Sequence, residues 1–284
     1  MGRTVYLNGE YYPEDEAKVS IFDRGLLFAD GVYEVVGVLD RKLMNFAGHM
    51  ARLDRSLGEL GLKKPLTTEQ IHDVLRELVR RNDLDEGLIY LQITRGVADR
   101  DFVFDGDLTP TIFLFTQVKP VSENQVVRDG IAMKSVPDIR WARRDIKSVA
   151  LLAQVLAKQA AKEAGAYEAL MHHDGVVTEG GATSAYIIKD GAVITRPLSN
   201  TILPGVTRAS LLDLIKANPG LRLEERPFTL EEAYGADEAF ITGASTCIAP
   251  VIRIDDKPVG TGKPGPLVQQ LQGIYMEKVR AGLI

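Results

Sequence analysis

The chain has 284 residues, 45% of them hydrophobic and 26% charged, with a net charge of -5 and one cysteine. That length suits about two soluble domains. The charge, with basic residues spread along the chain, excludes a protein that grips nucleic acid through its phosphates, and no window reaches the ~18 apolar residues of a membrane span. A lone Cys247 excludes an internal disulfide and points to a reducing, cytoplasmic compartment, and its apolar context Cys247-Ile248-Ala249-Pro250-Val251 favours packing over nucleophilic chemistry.

The first forty residues read as hairpins. An Asn8-Gly9 turn divides Val5-Tyr6-Leu7 from Glu10-Tyr11-Tyr12, and Asp40-Arg41-Lys42 turns the run Val32 to Leu39 towards Leu43-Met44-Asn45-Phe46. Met50, Leu53, Leu57 and Leu60 recur at helical spacing. A second helix spans about Thr68 to Asn82, and strands are expected at Leu88 to Thr94 and Thr111 to Val118. Polar, proline-containing Lys119 to Asn124 breaks the pattern and reads as an interdomain linker. The boundaries that follow are an N-terminal domain over 1–118, a linker over 119–127 and a C-terminal domain over 128–284 that carries Lys147.

The second half opens with a strand at Ile131 to Val136 and a helix at Ser148 to Ala164. Hairpin turns follow at His173-Asp174-Gly175 and Lys189-Asp190-Gly191. A helix runs from Pro204-Gly205 towards Ala217, strands surround Phe240-Ile241 and Val251-Ile252, and a last helix covers about Pro266 to Val279. Helices and strands lack a regular βαβ alternation, so the expectation is α+β in two domains. Gly260-Thr261-Gly262-Lys263-Pro264-Gly265 spells a dinucleotide fingerprint without its strand context and reads as a turn. Four histidines, His49, His72, His172 and His173, lack zinc spacing.

Lys147 lies where a charged cluster meets the apolar helix, with Ser148 as the expected cap. The positive end of that helix, and Arg143 and Arg144 if they converge, would favour a neutral, nucleophilic amine of the kind Schiff-base chemistry needs. Such a lysine commonly serves pyridoxal phosphate, which also requires a phosphate cradle and a carboxylate at its ring nitrogen. Leu203-Pro204-Gly205-Val206-Thr207-Arg208 leads into a helix start that can receive an anion, or is simply capped. Glu179, before Gly180-Gly181, is a candidate carboxylate or a solvated turn residue. Thr242-Gly243-Ala244-Ser245-Thr246 offers a second cradle or a tight loop. Arg52 can aim its fork at a phosphate or lie along the surface.

Read together, these segments resemble a known family. Asp23-Arg24-Gly25 with Phe28-Ala29-Asp30-Gly31-Val32-Tyr33-Glu34, His49-Met50-Ala51-Arg52-Leu53, Asp138-Ile139-Arg140-Trp141 with Asp145-Ile146-Lys147-Ser148, Thr178-Glu179-Gly180, and Leu203 to Arg208 are similar, in the same order, to blocks of the D-amino-acid transaminases. These are fold type IV pyridoxal-phosphate enzymes, a group that includes branched-chain transaminases and aminodeoxychorismate lyases.

The resemblance implies that Lys147 forms the Schiff base and shuttles the Cα proton, and that Glu179 pairs with the ring nitrogen. It also implies that Arg52, Val206, Thr207, Gly243 and Ala244 hold the phosphate and that Leu203 packs on the ring. Tyr33, Arg140 and Ser245 would serve the substrate side. A pocket between domains and a homodimer are implied as well, with an amino acid and a keto acid such as pyruvate or 2-oxoglutarate as substrates in ping-pong order. The chain departs from the family after Thr94-Arg95-Gly96: Arg100 is present, but Phe102 stands where the family's second carboxylate-binding residue is a histidine. D-amino acids, (R)-amines, branched-chain amino acids and a lyase reaction remain alternatives at this point.

Overall fold

The structure, a computed structural model, describes residues 2–104, 106–121, 125–282 and 284. Contacts divide the chain into two compact units, one of 1–121 with 146–150 and one of 122–145 with 151–284. Each contains a sheet flanked by helices, which makes the fold α+β.

The first unit holds one antiparallel sheet. In chain order its elements are β1 (Thr4–Leu7), β2 (Glu10–Pro13), α1 (Arg24–Phe28), β3 (Gly31–Leu39), β4 (Lys42–Leu43), α2 (Phe46–Glu59), α3 (Thr68–Arg81), β5 (Gly87–Thr94) and β6 (Thr111–Val118). The strands lie in the order β2-β1-β6-β5-β3-β4. Asn8 and Gly9, at φ 48 and 106, make the first hairpin turn, as expected of an Asn-Gly pair. Thr67 and Gln70 close a capping box at the start of α3. One sheet face buries Val32, Val36, Ile89, Leu91, Ile93, Ile112 and Leu114 against Met50, Leu53 and Leu57 of α2 and Ile71, Leu75 and Leu78 of α3. The period-two and period-3.6 patterns of the sequence meet in this core.

The second unit continues with α4 (Gln125–Asp129), β7 (Ile131–Pro137), α5 (Leu152–Glu163), β8 (Glu168–His173), β9 (Val176–Gly180), β10 (Ser184–Lys189) and β11 (Ala192–Thr195). It ends with α6 (Val206–Lys216), β12 (Arg222–Glu225), α7 (Leu230–Tyr234), β13 (Glu238–Gly243), β14 (Cys247–Ile254), β15 (Lys257–Pro258) and α8 (Pro266–Arg280). Its mixed sheet has the order β12-β11-β10-β13-β14-β7-β8-β9, with β15 on β14. Helix α5 covers β7 and β8 through Ala157 and Ala161, and α6 and α8 pack against β13. Tyr186 stacks on Phe240 with ring centroids 4.4 Å apart.

Two boundaries differ from those read in the sequence. Helix α4 begins inside the stretch expected as a linker over 119–127, and residues 122–124 lie outside the described residues. The helix expected from Ser148 begins at Leu152, and Leu151 makes no side-chain cap. Ser148 instead forms an isolated antiparallel bridge with Val32 of β3. Tyr33 N–H donates to the Lys147 carbonyl at 3.0 Å, and Val149 N–H donates to the Gly31 carbonyl at 3.0 Å. The short β4 pairs only with Val38 and Leu39, so the Gly31 end of β3 still has an edge to pair. This bridge holds Lys147 and Ser148 beside β3, where the expected helix would have begun. It also places Lys147 with the first unit rather than with the C-terminal half.

Candidate active site

In the first unit, β3 alternates core and opposite faces, and Glu34 falls on the core face between Val32 and Val36. A carboxylate there must be paired. Helix α2 supplies the partners one turn apart: Arg52 donates Nε to Oε1 at 2.8 Å and Nη2 to Oε2 at 2.7 Å, and His49 Nδ1 lies 2.7 Å from Oε2. Burial pushes Glu34 up, but Arg52 and His49 outweigh it and hold the carboxyl at about 2. Burial lowers His49 despite Glu34, so the imidazole is neutral, with Nδ1–H donating to the carboxylate. Arg52, predicted from its motif, is therefore bidentate on Glu34 and almost fully buried.

Lys147 is fixed by its backbone. Its N–H donates to the buried Ser56 Oγ at 3.3 Å, and its Nζ lies 4.0 Å from the centre of the Tyr33 ring. Tyr33 stacks on Tyr90 at 5.5 Å, and Tyr90 on Phe115 at 5.0 Å, in a half-buried aromatic row on the face opposite the core. The helix expected from Ser148 begins at Leu152, Arg143 pairs with Asp145 at 3.0 Å, and Arg144 faces Asp138 at 3.5 Å. Tyr33 and Lys147 thus stand together with Ser56 and the Glu34 group, while Arg100 and Phe102 sit on the loop after β5. Phe102 is 76% exposed, and the Arg100 guanidinium lies 5.7 Å from its ring.

In the second unit, Glu179 at the end of β9 is buried. It accepts Arg140 Nη1 at 2.5 Å and the Leu203 N–H at 3.0 Å. Burial pushes its carboxyl up, opposed by Arg140 and the Leu203 amide. Arg140, expected on the substrate, commits its guanidinium to Glu179 and to both oxygens of Asp138, at 2.9 and 2.7 Å. Thr178 also donates to Asp138, at 2.7 Å.

Leu203 leads directly into α6. The N-cap there is Gly205, which offers no capping side chain to the amides of Val206 and Thr207. A Cβ at Gly205 would stand 2.8 Å from Ser184 Oγ, and Ser184 pairs with Thr242 of β13. The start of α6 therefore lies close to the turn Ala244–Thr246 between β13 and β14. A Cβ at Gly243 would meet Thr183 Cγ2 at 3.2 Å and Thr246 Oγ1 at 3.3 Å; the Thr246 hydroxyl is buried without a hydrogen-bond partner, as is that of Thr183, which lies against Gly180. An uncapped helix start and the unsatisfied Thr246 hydroxyl form a donor set that fits a phosphate. Ala244 and Ser245 lie in this turn, half-buried.

Sequence reasoning missed Thr183, Thr246 as an orphaned donor, Ser56 and the pairing of Glu34. Only Glu34 left a readable signal, a charge on the core face of the Val32 to Leu39 strand. The Gly260 to Gly265 segment follows the antiparallel β15 and is a turn. Among the described residues, no group of three or more His, Cys, Asp or Glu side chains is arranged to hold a metal.

The family model described as Amino-transferase class IV matches residues 31–254. With most of the chain matched, the protein belongs to the class IV aminotransferases, which use pyridoxal 5′-phosphate. The chain is 41% identical to a D-alanine aminotransferase of Staphylococcus haemolyticus over 271 residues, 94% of this chain and 95% of that one. It is 40% identical to a D-alanine aminotransferase of Bacillus licheniformis over 270 residues, 94% of each. Among solved structures, the branched-chain aminotransferase of the thermophilic archaeon Thermoproteus uzoniensis, solved with norvaline, superposes with a TM-score of 0.86 at 28% identity, over 98% of this chain and 95% of that one. No helix among the described residues is long and apolar enough to cross a membrane.

Proposed function

We propose that this enzyme transfers the amino group of a D-amino acid, D-alanine foremost, to a 2-keto acid. The observation that carries the reading is the Lys147 ammonium over the Tyr33 ring, in a chain aligned over 94% of its length with D-alanine aminotransferases. Bound pyridoxal phosphate supplies an electron sink that acidifies the substrate's Cα–H.

The chain's own groups do the rest. Lys147 Nζ, as a neutral amine, would take the Cα proton, and as an ammonium would deliver it to the cofactor's C4′ rather than back to Cα. Glu179 offers a buried carboxyl group to a protonated ring nitrogen; burial pushes it up, and Arg140 and the Leu203 amide offset that only in part. The amides of Val206 and Thr207, with Gly243, Ala244 and the hydroxyl of Thr246, receive the phosphate. Arg52 adds positive charge there, oriented by Glu34 and His49. Leu203 packs against the ring. Tyr33, Arg100, Phe102 and Ser245 serve the substrate, Arg100 taking its carboxylate.

The reading includes two domains joined at 119–127, a homodimer and a cytoplasmic location. The exposed apolar side chains Ile21, Phe22, Leu26, Val97, Phe102 and Val103 support a covering second copy. The buried, single Cys247 suits a reducing compartment.

A half-reaction tests the chemistry. Enzyme loaded with pyridoxal phosphate should lose the cofactor's visible band on addition of D-alanine without keto acid, and regain it with pyruvate. A response to L-leucine or (R)-1-phenylethylamine but not to D-alanine would move the substrate class. No response to any amine would sink the reading.

A further inference from the structure

The loop after β5 is tied to the rest of its unit by a small set of side chains. Arg24, 3% exposed, donates Nη1 to the Asp101 carbonyl at 2.6 Å and Nη2 to the Phe102 carbonyl at 3.3 Å. These are the two residues that follow Arg100. Nε of Arg24 binds Asp30 Oδ2 at 2.9 Å, and the same oxygen receives Arg95 Nε at 2.8 Å. Arg95 in turn donates to the carbonyls of Leu60 and Gly61, at 2.8 and 3.2 Å, just past the end of α2. One carboxylate thus joins the loop to a helix end.

The aromatic rings of the segment stack on the same guanidinium groups. Phe104 lies 5.1 Å from Arg24 and 4.0 Å from Arg95, and Phe28 lies 4.7 Å from Arg24. Phe28 is also 5.6 Å from Arg100, and its ring is 5.4 Å from that of Phe102. Arg100 therefore rests on a layered base of rings and cations. Two buried arginines within that base share Asp30 as their countercharge. Without it they repel each other across a desolvated gap, and Arg24 loses the contact that aims its fork at the loop carbonyls.

We propose that Asp30 is a positioning residue for substrate recognition: through Arg24 it sets the backbone at Asp101 and Phe102 and so aims Arg100 at the substrate carboxylate. This rests on the reading above, in which Arg100 takes that carboxylate. It assigns Asp30 no contact with substrate. Its effect falls on how well an acidic substrate is held rather than on the proton transfer at Lys147, because a misplaced charge-assisted bond weakens binding steeply with distance.

The test uses the holoenzyme and the variants Asp30→Asn, Arg24→Gln, the double variant and Arg100→Gln. The readouts are KM and kcat for D-alanine, the dissociation constant of pyridoxal phosphate, and amide hydrogen exchange over 97–104. Asp30→Asn should raise KM about tenfold or more, the loss of one charge-assisted contact. It should leave kcat and cofactor affinity within about threefold and speed exchange in the loop. Arg24→Gln should do the same and serves alone if Asp30→Asn does not fold, and the double variant should be no worse than Arg24→Gln. A KM unchanged in either single variant overturns the proposal. So does a fall in kcat and cofactor affinity that matches the rise in KM, or additive effects in the double variant. Arg100→Gln separates the two levels. If it leaves KM for D-alanine unchanged, the carboxylate reading of Arg100 fails. If it raises KM while Asp30→Asn does not, only the role of Asp30 fails.

Discussion

Lys147 and Tyr33 are joined twice: the Tyr33 N–H donates to the Lys147 carbonyl at 3.0 Å, and the Lys147 ammonium stands 4.0 Å from the centre of the Tyr33 ring. The backbone bond fixes where the lysine starts, and the ring fixes where it ends. Removing the side chain leaves the backbone bond intact.

Lys147→Ala should therefore fold. Its stability cost is the lost ammonium–ring contact, about 0.5–1 kcal/mol. Multiple turnover should fall by at least about 10³-fold, because the group that moves the Cα proton is gone. Far-UV circular dichroism and steady-state rates check both halves, and near-normal turnover would refute the role of Lys147.

Glu34 makes acid stability a test of the His49–Arg52 cluster. Its folded value of about 2 lies below the ordinary 4.5. The stability it contributes is complete above 4.5 and is lost as pH falls through about 2. Asp30 and Asp138 are also lowered by their arginines against burial, so the wild type should weaken further in the same direction. Glu34→Gln should be less stable at pH 7 by about 3 kcal/mol, since Arg52 is left buried without its partner. The variant should lose less between pH 5 and pH 3 than the wild type does. Urea midpoints at the three pH values decide this, and parallel curves would show that Glu34 is not the titrating group.

Arg140 and Glu179 should separate stability from chemistry. Arg140→Met removes the main countercharge of two buried carboxylates and should cost about 3–5 kcal/mol. Glu179→Gln keeps the volume and leaves Arg140 its bonds to Asp138, so it should cost less stability yet slow the half-reaction with D-alanine. Chemical unfolding and stopped-flow absorbance would measure the two effects, and a half-reaction at the wild-type rate in Glu179→Gln would point to another partner for the ring nitrogen.

Gly96 joins β5 to the Arg100 loop at φ +103, and a Cβ there would stand 1.9 Å from the Thr109 carbonyl oxygen. Gly96→Ala should destabilise by more than about 1 kcal/mol, from the clash and the positive φ together. A melting temperature within about 1 °C of the wild type would mean that the loop can shift at little cost.

Much of this protein is legible in the sequence, for local reasons. The Asn8-Gly9 turn, the capping box at Thr67 and the alternation through β3, β5 and β6 each depend on neighbours in the chain. The motif residues Lys147, Glu179, Arg52 and Thr207 could be singled out because chemistry restricts the residue type. What the chain alone could not settle depends on residues far apart in sequence. Lys147 sits in a pairing with β3 because Gly31 to Tyr33 has an edge to fill, and that overrode the helix expected from Ser148. Arg140 turned to Asp138 and Glu179 because two buried carboxylates need a cation, and no local pattern announces that need. Asp30 became the junction of two arginines because folding brings the end of α2 and the loop after β5 to one carboxylate. Local propensity determines elements and turns. Only tertiary structure decides which buried charge meets which, because desolvation forces a pairing only once the chain has closed around it.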